Sequence, residues 1–271
     1  MEENISVLIP TKNRKYSLLK TIDSIKQQSF AKNIDEIVIA DDSDEVITKE
    51  EINFNNANVK IFTGHKNIAN ARNVLFENAK NNFCFVIEDD ITISSDVLEK
   101  LYLDLVFCNS ITKNIVSVEA FGKFYLYLLK KKNNAKFIFY PFFSMCSLVL
   151  KDEIKNIKYD EDLRVWEDII FGTQMRERKL FTVIDTDLCF FTKLYENGIY
   201  TKKEFDFVKN NDRKLTRLMI MKDKIKNINE RYGKYIKITK NGTIRNDKEV
   251  IAENKQFLKE QVKGYENIFN F

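Results

Sequence analysis

Three consecutive acidic residues, Glu88-Asp89-Asp90, directly follow an apolar segment that is typical of a buried strand. Neighbouring carboxylates repel each other, and a divalent cation bound between them removes that repulsion. Because oxygen ligands suit Mg²⁺ and Mn²⁺ better than zinc, the triplet favours one of these two ions. A second acidic triplet, residues 160–162, falls in a predicted loop where water can solvate the charges. The sequence therefore predicts a metal site at residues 88–90 rather than at residues 160–162.

The chain offers few residues for other kinds of catalysis. It contains one histidine, His65, and four cysteines that lie at least 24 residues apart, so no cysteine pair has the spacing of a zinc site. Cys84 and Cys146 lie in apolar segments and are predicted to be small buried side chains. A nucleophile activated by histidine could exist only around His65. We therefore expect carboxylates, arginines, lysines or an oxygen-bound metal to carry any catalysis.

Strand and helix patterns alternate through the first half of the chain. Short apolar segments predict strands at residues 5–10, 36–42, 59–64, 83–90 and 116–121. Apolar residues three or four positions apart predict helices at residues 16–28, 67–80 and 96–107. Asp96 and Glu99 resemble a capping box at the start of the third helix. This alternation predicts an α/β fold with a parallel, doubly wound sheet.

Polar residues gather where the predicted strands end. In chain order they are Thr11, Asn13, Arg14, Asp41, Asp42 and the 88–90 triplet. Ligands of doubly wound sheets bind beyond the carboxyl ends of the strands. We therefore expect these side chains to line one site at that edge of the sheet.

The second half of the chain is less regular. Further strands are predicted at residues 137–143, 147–151 and 181–184, and a helix begins near Trp166. Beyond residue 200 the patterns indicate an amphipathic helix, a hairpin and a final helix at residues 218–228, 235–245 and 248–271. We therefore expect two units. Residues 1–200 would carry the site, and residues 201–271 would form a mostly helical extension that contains the hairpin.

Composition excludes several classes of protein. The 271 residues are 44% hydrophobic and include 22 Phe but only 7 Gly and 2 Pro, which excludes a disordered or collagen-like chain. The longest apolar run, residues 137–150, is too short to span a membrane. The first residues show no basic segment of a secretion signal. We therefore expect a soluble protein of the cytoplasm.

Charge is distributed unevenly along the chain. Residues 201–271 contain 18 Lys/Arg and 10 Asp/Glu, whereas residues 1–200 contain 26 and 30. A basic extension on an acidic body predicts an anionic partner, either a membrane surface or nucleic acid. The alternative is a lysine-rich helical face that contacts only water, and both interpretations stay open here.

Several motifs occur together in an order that resembles a known family. They are ISVLIPTKNR (residues 5–14), DD (41–42), NIANARN (67–73), EDD (88–90) and WED (166–168). The same order is seen in glycosyltransferases of the GT-A fold that are similar to family 2. The resemblance covers residues 3–195, and the ordered set makes it specific. It implies a Rossmann-like mixed or parallel sheet flanked by helices, and a sugar linked to uridine or guanosine diphosphate as the donor.

The resemblance also implies roles in the donor site. Asp42 would accept a hydrogen bond from the base, and Arg72 would approach the diphosphate. Asp90 would hold the metal directly, while Asp89 would contact the ribose or assist the metal. The other residues of the implied nucleotide site are Pro10, Thr11, Asn13, Arg14, Asp41, Asn67 and Glu88. Two alternatives stay open: Asp42 as a turn or helix-capping residue, and Arg72 as a solvent-facing helix residue.

The catalytic base implied by the resemblance is Asp168. It would take the proton of an acceptor hydroxyl as the oxygen attacks the anomeric carbon, in one displacement that inverts the sugar. Its place in the first turn of a predicted helix favours the ionised form that a base needs. Glu167 is the fallback base or a ligand for a hydroxyl, and Trp166 either stacks on the acceptor or belongs to the core. Alternatively, both acids only stabilise the helix N-terminus.

The sequence departs from the family in one respect. Many relatives have a late histidine as a further metal ligand, and this chain has none after His65. The role is then empty or passes to Asp185, Asp187 or water, and we expect a modest metal affinity. His65 itself is expected at the surface or at the edge of the nucleotide.

These inferences predict an inverting glycosyltransferase that uses Mn²⁺ or Mg²⁺. The simplest acceptor is a glycan, free or lipid-linked, of a bacterial surface polysaccharide, which would place the protein in the cytoplasm or at the inner face of the membrane. A rival acceptor is DNA, glycosylated by a phage-type enzyme in the host cytoplasm, and the basic residues 201–271 favour it. A second rival is a sugar-nucleotide-binding module without turnover, which the presence of both Asp90 and Asp168 disfavours.

Overall fold

The computed structural model describes residues 3–54, 57–122, 135–140, 143, 146–163, 167–192, 231–233, 236–238 and 244–270. Trp166, the predicted helix at residues 218–228 and the predicted turn at Asn241-Gly242 lie outside the described residues.

The first half of the chain alternates strands and helices, as the sequence predicts. The strands are β1 (Ile5–Thr11), β2 (Ile34–Asp41), β3 (Asn58–Phe62), β4 (Phe83–Ile87), β5 (Ile91–Ile93) and β6 (Ile115–Gly122). The helices are α1 (Lys15–Lys26), α2 (Lys49–Ile52), α3 (Ile68–Asn78) and α4 (Val97–Ile111). Strands β3, β2, β1 and β4 pair in parallel in that order. Their carboxyl ends therefore share one edge of the sheet.

The second half of the chain makes the sheet mixed rather than wholly parallel. It contributes β7 (Phe137–Tyr140), β8 (Cys146–Leu150), α5 (Lys151–Ile154), α6 (Glu167–Glu177) and β9 (Phe181–Thr192). Strand β8 pairs antiparallel with both β4 and β6 and so lies between them. The ten strands of the sheet follow the order β12 (Phe269–Asn270)-β7-β9-β6-β8-β4-β1-β2-β3, with β5 paired to β9. Strands β5, β7, β8 and β12 thus run against the other strands of this sheet, which the α/β prediction in its mixed form allows.

Helices cover both faces of the sheet. Successive strand residues point to opposite faces, so Val7 and Ile9 join one buried cluster while Leu8 joins the other. Leu18 of α1 and Leu101 of α4 pack into the first cluster. The helices of the second cluster are α3, α5 and α6, which contribute Leu75, Ile154 and Phe171. The result is a three-layer α/β structure with the site-bearing edge between its layers.

The C-terminal residues return to this core. Asp247 caps α7 (Lys248–Gln261) by accepting a hydrogen bond from the Glu249 backbone, and Leu258 of that helix is fully buried. The helix ends ten residues earlier than predicted, after which β12 (Phe269–Asn270) pairs with β7. The strands of the predicted hairpin, β10 (Ile236–Ile238) and β11 (Ile244–Asn246), do pair antiparallel. The division at residue 200 stays a prediction, although residues 247–270 pack on the same core as the strands.

Two further sequence predictions concern helices. The capping box at Asp96 is wrong, because Asp96 adopts a helical backbone conformation and its side chain makes no capping hydrogen bond. It pairs instead with Lys100 at 2.6 Å. Among the described residues, no helix has the length and apolar character needed to cross a bilayer.

Candidate active site

The edge where β1 and β4 end holds an ionic cluster. The Thr11 hydroxyl donates a hydrogen bond to Asp89 Oδ2 at 2.6 Å. Arg14 lies at 3.2 Å from both carboxylates, with Nε on Asp89 Oδ2 and the terminal guanidinium nitrogen on Asp90 Oδ2. Because β1 and β4 are parallel neighbours, residues 75 positions or more apart in sequence meet here.

The carboxylate of Asp89 is fully buried. Burial is the largest influence on it and raises its pKa to about 7, although Arg14 and the Thr11 hydroxyl oppose that change. Burial also raises the pKa of Asp90. Asp89 Oδ1 accepts no hydrogen bond from any described residue. A buried carboxylate oxygen without a partner is costly, which makes it a natural position for a cationic ligand.

The carboxylate oxygens of this cluster suit a cation that is also bound by oxygens of the substrate. Among the described residues, no group of three His, Cys, Asp or Glu side chains converges to hold a metal ion. Mg²⁺, however, is commonly bound by one or two carboxylates together with substrate phosphates and water. Asp89 and Asp90 supply two such carboxylates, and one of their oxygens is unpartnered. The residues present therefore fit a divalent cation whose remaining ligands come from a bound diphosphate.

Arg72 connects the end of β4 to the start of α6. Its guanidinium lies 2.5 Å from Glu88 Oε1 and 2.7 Å from Glu167 Oε1, and it stacks over the ring of Tyr159 at 5.4 Å. The residue is 9% exposed, so the alternative of a solvent-facing arginine is wrong. The nearby carboxylates raise its pKa against the opposing effect of burial. Its expected contact with a diphosphate stays a prediction, because the described contacts of the guanidinium are structural.

Glu167 and Asp168 occupy the first turn of α6. Asp168 Oδ1 accepts a hydrogen bond from the Ile169 backbone at 2.8 Å. Burial, the largest influence, raises the pKa of both carboxyls, and the positive charge of Arg72 opposes it. The sequence expectation that the helix N-terminus keeps Asp168 ionised is therefore incomplete, since burial acts more strongly in the opposite direction. Glu167 is already paired with Arg72, which leaves Asp168 as the acid of this turn that no arginine among the described residues holds.

The two aspartates that follow β2 have different surroundings. Asp41 accepts hydrogen bonds from the backbone of Ser43 at Oδ1 and of Ile47 at Oδ2, so it holds the loop together with both oxygens. The turn role considered for Asp42 therefore belongs to Asp41. Asp42 instead contacts His65, whose ring Nδ1 and backbone nitrogen lie 2.8 and 2.9 Å from Asp42 Oδ1.

The asparagines and the proline predicted in the nucleotide site serve local structure. Asn13 has a positive φ of 54° and exchanges hydrogen bonds with Asp44, which ties the loop after β1 to the loop after β2. Asn67 caps α3, and its amide donates to the Glu161 carbonyl at 2.7 Å. Pro10 is paired with Ala40 inside the sheet. Their contacts with a nucleotide stay predictions.

Asp185, considered as a further metal ligand, pairs with a lysine instead, and the same role for Asp187 stays a prediction. Asp185 is buried beside Asp104 and Lys136, and the lysine lies 2.5 Å from Asp104 and 3.8 Å from Asp185. Burial raises the pKa of Asp185 to about 8. The cysteines behave as predicted, because Cys84 and Cys146 are fully buried and burial raises the pKa of both thiols.

The sequence patterns did not predict the residues that hold the loop before α6 against α3. Asn73 exchanges hydrogen bonds with the Tyr159 backbone and donates to Glu161, which fixes the loop before α6 against α3. Tyr159 also stacks on Phe171 at 4.2 Å. The only signal available was the ARN segment itself, because the sequence of residues 155–166 shows no periodic pattern.

Comparisons with known proteins agree with this architecture. The model of the family described as glycosyl transferase family 2 matches residues 6–145, more than half of the chain. A search of curated proteins finds no match.

Solved structures share the fold at low sequence identity. S. aureus TarS matches with a TM-score of 0.53 and 16% identity over 82% of this chain and 40% of that chain. Its residues 1–349 are also solved with UDP and with UDP-GlcNAc. The mannosyltransferase PcManGT from Pyrobaculum calidifontis, in complex with GDP-Man and Mn²⁺, gives a TM-score of 0.60 and 13% identity over 82% of this chain and 65% of that one. GalNAc-T7 with UDP, GalNAc and Mn²⁺ gives 0.55 and 15% over 77% of this chain and 48% of that one. The chain thus spans less than two thirds of each of these three proteins.

The mixed α/β sheet, with acidic residues at the end of β4, and the similarity to these solved structures show that this chain has the GT-A fold. Since the family model covers more than half of the sequence, the chain belongs to glycosyl transferase family 2.

Proposed function

We propose that this protein transfers a sugar from a nucleotide-diphosphate sugar to an acceptor hydroxyl with inversion at the anomeric carbon. The observation that carries the proposal is the buried bridge of Arg72, which joins the acidic end of β4 to the first turn of α6. This bridge connects the segment expected to bind the donor sugar nucleotide to the segment expected to carry the catalytic base. Membership in family 2, and the UDP-, UDP-GlcNAc- and GDP-Man-bound neighbours, support a nucleotide sugar as the donor.

In the donor site, Asp42 would accept a hydrogen bond from the base, and Thr11 and Arg14 would border the ribose and diphosphate. Asp89 and Asp90 would hold Mn²⁺ or Mg²⁺, and Mn²⁺ is present in two of the neighbours. When bound, such an ion supplies neutralisation of the charge that grows on the leaving diphosphate. Arg14 already pairs with both carboxylates, so it keeps them from repelling each other without a donor.

Asp168 is proposed as the base. It would take the proton of the acceptor hydroxyl as that oxygen forms a bond to the anomeric carbon and the bond from this carbon to the diphosphate oxygen breaks. The nucleoside diphosphate then leaves with the electron pair of that bond. A raised pKa makes Asp168 a stronger base than an exposed aspartate, provided that the pH exceeds that pKa. The arginine that pairs with Glu167 makes that residue the weaker candidate.

The proposed acceptor is a glycan, free or lipid-linked, of a surface polysaccharide, handled in the cytoplasm or at the inner membrane face. DNA is kept as a second candidate because residues 201–271 carry eight more basic than acidic side chains. Binding to duplex DNA that weakens steeply with salt would favour this second acceptor, and binding that ignores salt would exclude it.

The donor is tested by a screen of UDP- and GDP-sugars with Mn²⁺ that reads nucleotide release. We expect turnover with one donor, and a loss of about 10²–10⁴-fold in kcat for Asp168→Asn, because a general base contributes that much. Asp152→Asn, at an exposed position in the short helix α5, is the matched control and should not change the rate. Unchanged turnover in Asp168→Asn would overturn the assigned base. Nucleotide binding without release under any condition would favour a binding module.

A further inference from the structure

The single histidine of the chain contacts one of the two carboxylate oxygens of Asp42. His65 lies in the loop between β3 and α3, and its side chain is 3% exposed. Its ring Nδ1 lies 2.8 Å and its backbone nitrogen 2.9 Å from the same oxygen, Asp42 Oδ1. A carboxylate oxygen has two lone pairs. Both acceptor positions of Oδ1 are therefore used by one residue.

The other oxygen of Asp42 is left for a ligand. Among the described residues, Asp42 Oδ2 accepts no hydrogen bond, and the Asp42 side chain is 15% exposed. Asp41 beside it cannot serve in the same way, since its two oxygens accept from the Ser43 and Ile47 backbone. With respect to the described residues, the end of β2 thus presents one carboxylate oxygen without a hydrogen bond, Asp42 Oδ2.

A single acceptor oxygen can distinguish uracil from guanine, because the two bases present different numbers of N–H groups. Uracil presents one N–H on its pairing edge, between two carbonyls, whereas guanine presents two adjacent N–H groups that match both oxygens of a free carboxylate. When Oδ1 is occupied, the second N–H of guanine has no partner, and a buried donor without a partner is costly. Uracil loses nothing, because its one N–H needs only Oδ2.

We propose that His65 is a positioning residue that makes the donor site selective for uridine diphosphate over guanosine diphosphate. It acts through Asp42 and does not touch the reacting atoms. The inference rests on the proposed function, in which Asp42 binds the base. It further requires a proton on ring Nδ1, since an ionised Asp42 can only accept.

Nucleotide binding tests the proposal. Isothermal titration of UDP and GDP with Mn²⁺ should give the wild-type protein about tenfold or greater preference for UDP, since one unpaired buried donor costs that much. His65→Leu removes the ring donor and frees a lone pair of Oδ1, so the preference should fall to about threefold or less. His65→Asn, whose amide N–H can take the place of Nδ1–H, should restore most of it. Lys66→Ala, at the exposed neighbouring position, is the control and should keep the wild-type ratio.

The outcomes separate this inference from the proposed function. A wild-type protein that binds neither nucleotide would overturn the proposed function itself. A wild-type protein that binds both equally, or a His65→Leu variant that folds and keeps the full preference, would overturn only the role of His65. Nitrogen-15 NMR gives an independent readout, because the chain has one histidine and its ring signals need no assignment. A proton on Nδ1 supports the proposal, and a ring that is protonated at Nε2 alone overturns it.

Discussion

The two acidic triplets of this chain have the same composition, one Glu and two Asp, but different surroundings. Residues 88–90 follow a buried strand, and burial raises the pKa of Asp89 to about 7. Residues 160–162 lie in a loop, where Asn73 donates to Glu161 and lowers its pKa. Asp160 of the loop triplet pairs with Arg231 at 2.9 Å.

The difference shows that the element before a triplet decides what its carboxylates can do. At the strand end Asp89 is fully buried, so the charge of this triplet must be balanced by Arg14, Arg72 or a ligand. The loop triplet uses its charge to hold neighbouring segments in place. We expect the first triplet to control activity and the second to contribute only modest stability.

The largest effect is expected on stability, when the guanidinium of Arg72 is removed. Arg72→Met removes the guanidinium and leaves the carboxylates of Glu88 and Glu167 buried and unpaired. Breaking a buried ion pair in this way costs about 3–5 kcal/mol of unfolding free energy. Urea denaturation measures it, with Arg178→Met at an exposed position as the control. A loss below about 1 kcal/mol, typical of an exposed pair, would show that the bridge does not hold the site together.

The next effect compares the triplets directly. Asp90→Asn should lower kcat by about 10²–10³-fold, the usual result of removing one group that stabilises developing charge. The matched change in the loop, Asp162→Asn, should leave kcat unchanged, because that side chain is 61% exposed. Rates of nucleotide release from the same donor decide the matter. Equal losses in the two variants would remove the distinction between strand end and loop.

Asp185, a buried acid outside both triplets, tests how burial alone changes a carboxyl group that has no proposed catalytic role. The folded-state pKa of Asp185 is raised to about 8, above its ordinary value of 3.8, so the folded protein keeps a proton that the unfolded chain releases. The contribution of Asp185 to the unfolding free energy should therefore fall as the pH rises from about 4 to about 8, so the wild type should lose stability relative to Asp185→Asn over this range. Thermal melts across this range, with kcat measured in parallel at pH 7, test it. Parallel stability profiles of the two proteins would contradict the assignment of burial as the cause.

The smallest effect belongs to the loop triplet. Glu161→Gln keeps an acceptor for Asn73 but loses the charge, and the expected loss is about 1 kcal/mol or less. The lowered pKa of Glu161 gives stability that is present above its unfolded pKa and disappears as the pH falls. The difference in melting temperature between wild type and variant should therefore vanish in acid. A variant that loses turnover instead would place the loop triplet in the active site.

Much of the fold followed from the sequence because its strands are continuous apolar segments and its helices have one apolar face. The direction of β8 could not be predicted, since a strand buried on both faces shows the same pattern whether it runs parallel or antiparallel. Asp96 resembled a helix cap because residue type alone does not reveal a helical backbone conformation.

For the site, strand ends predicted where the polar residues lie but not which contacts they make. Asp41 and Asp42 are adjacent and identical in type, yet one binds its own loop and the other binds His65, 23 residues away. The burial of Arg72 also depends on Glu167, 95 residues further along the chain. Such pairings come from tertiary packing and leave no periodic pattern in the sequence.

The central claim is tested most directly by a crystal structure of the protein with Mn²⁺ and a bound UDP-sugar or GDP-sugar. The account predicts anomalous scattering from manganese between the Asp89 and Asp90 carboxylates and the diphosphate, with Asp168 facing the anomeric carbon. Manganese at residues 160–162, or Asp168 directed away from the sugar, would contradict it.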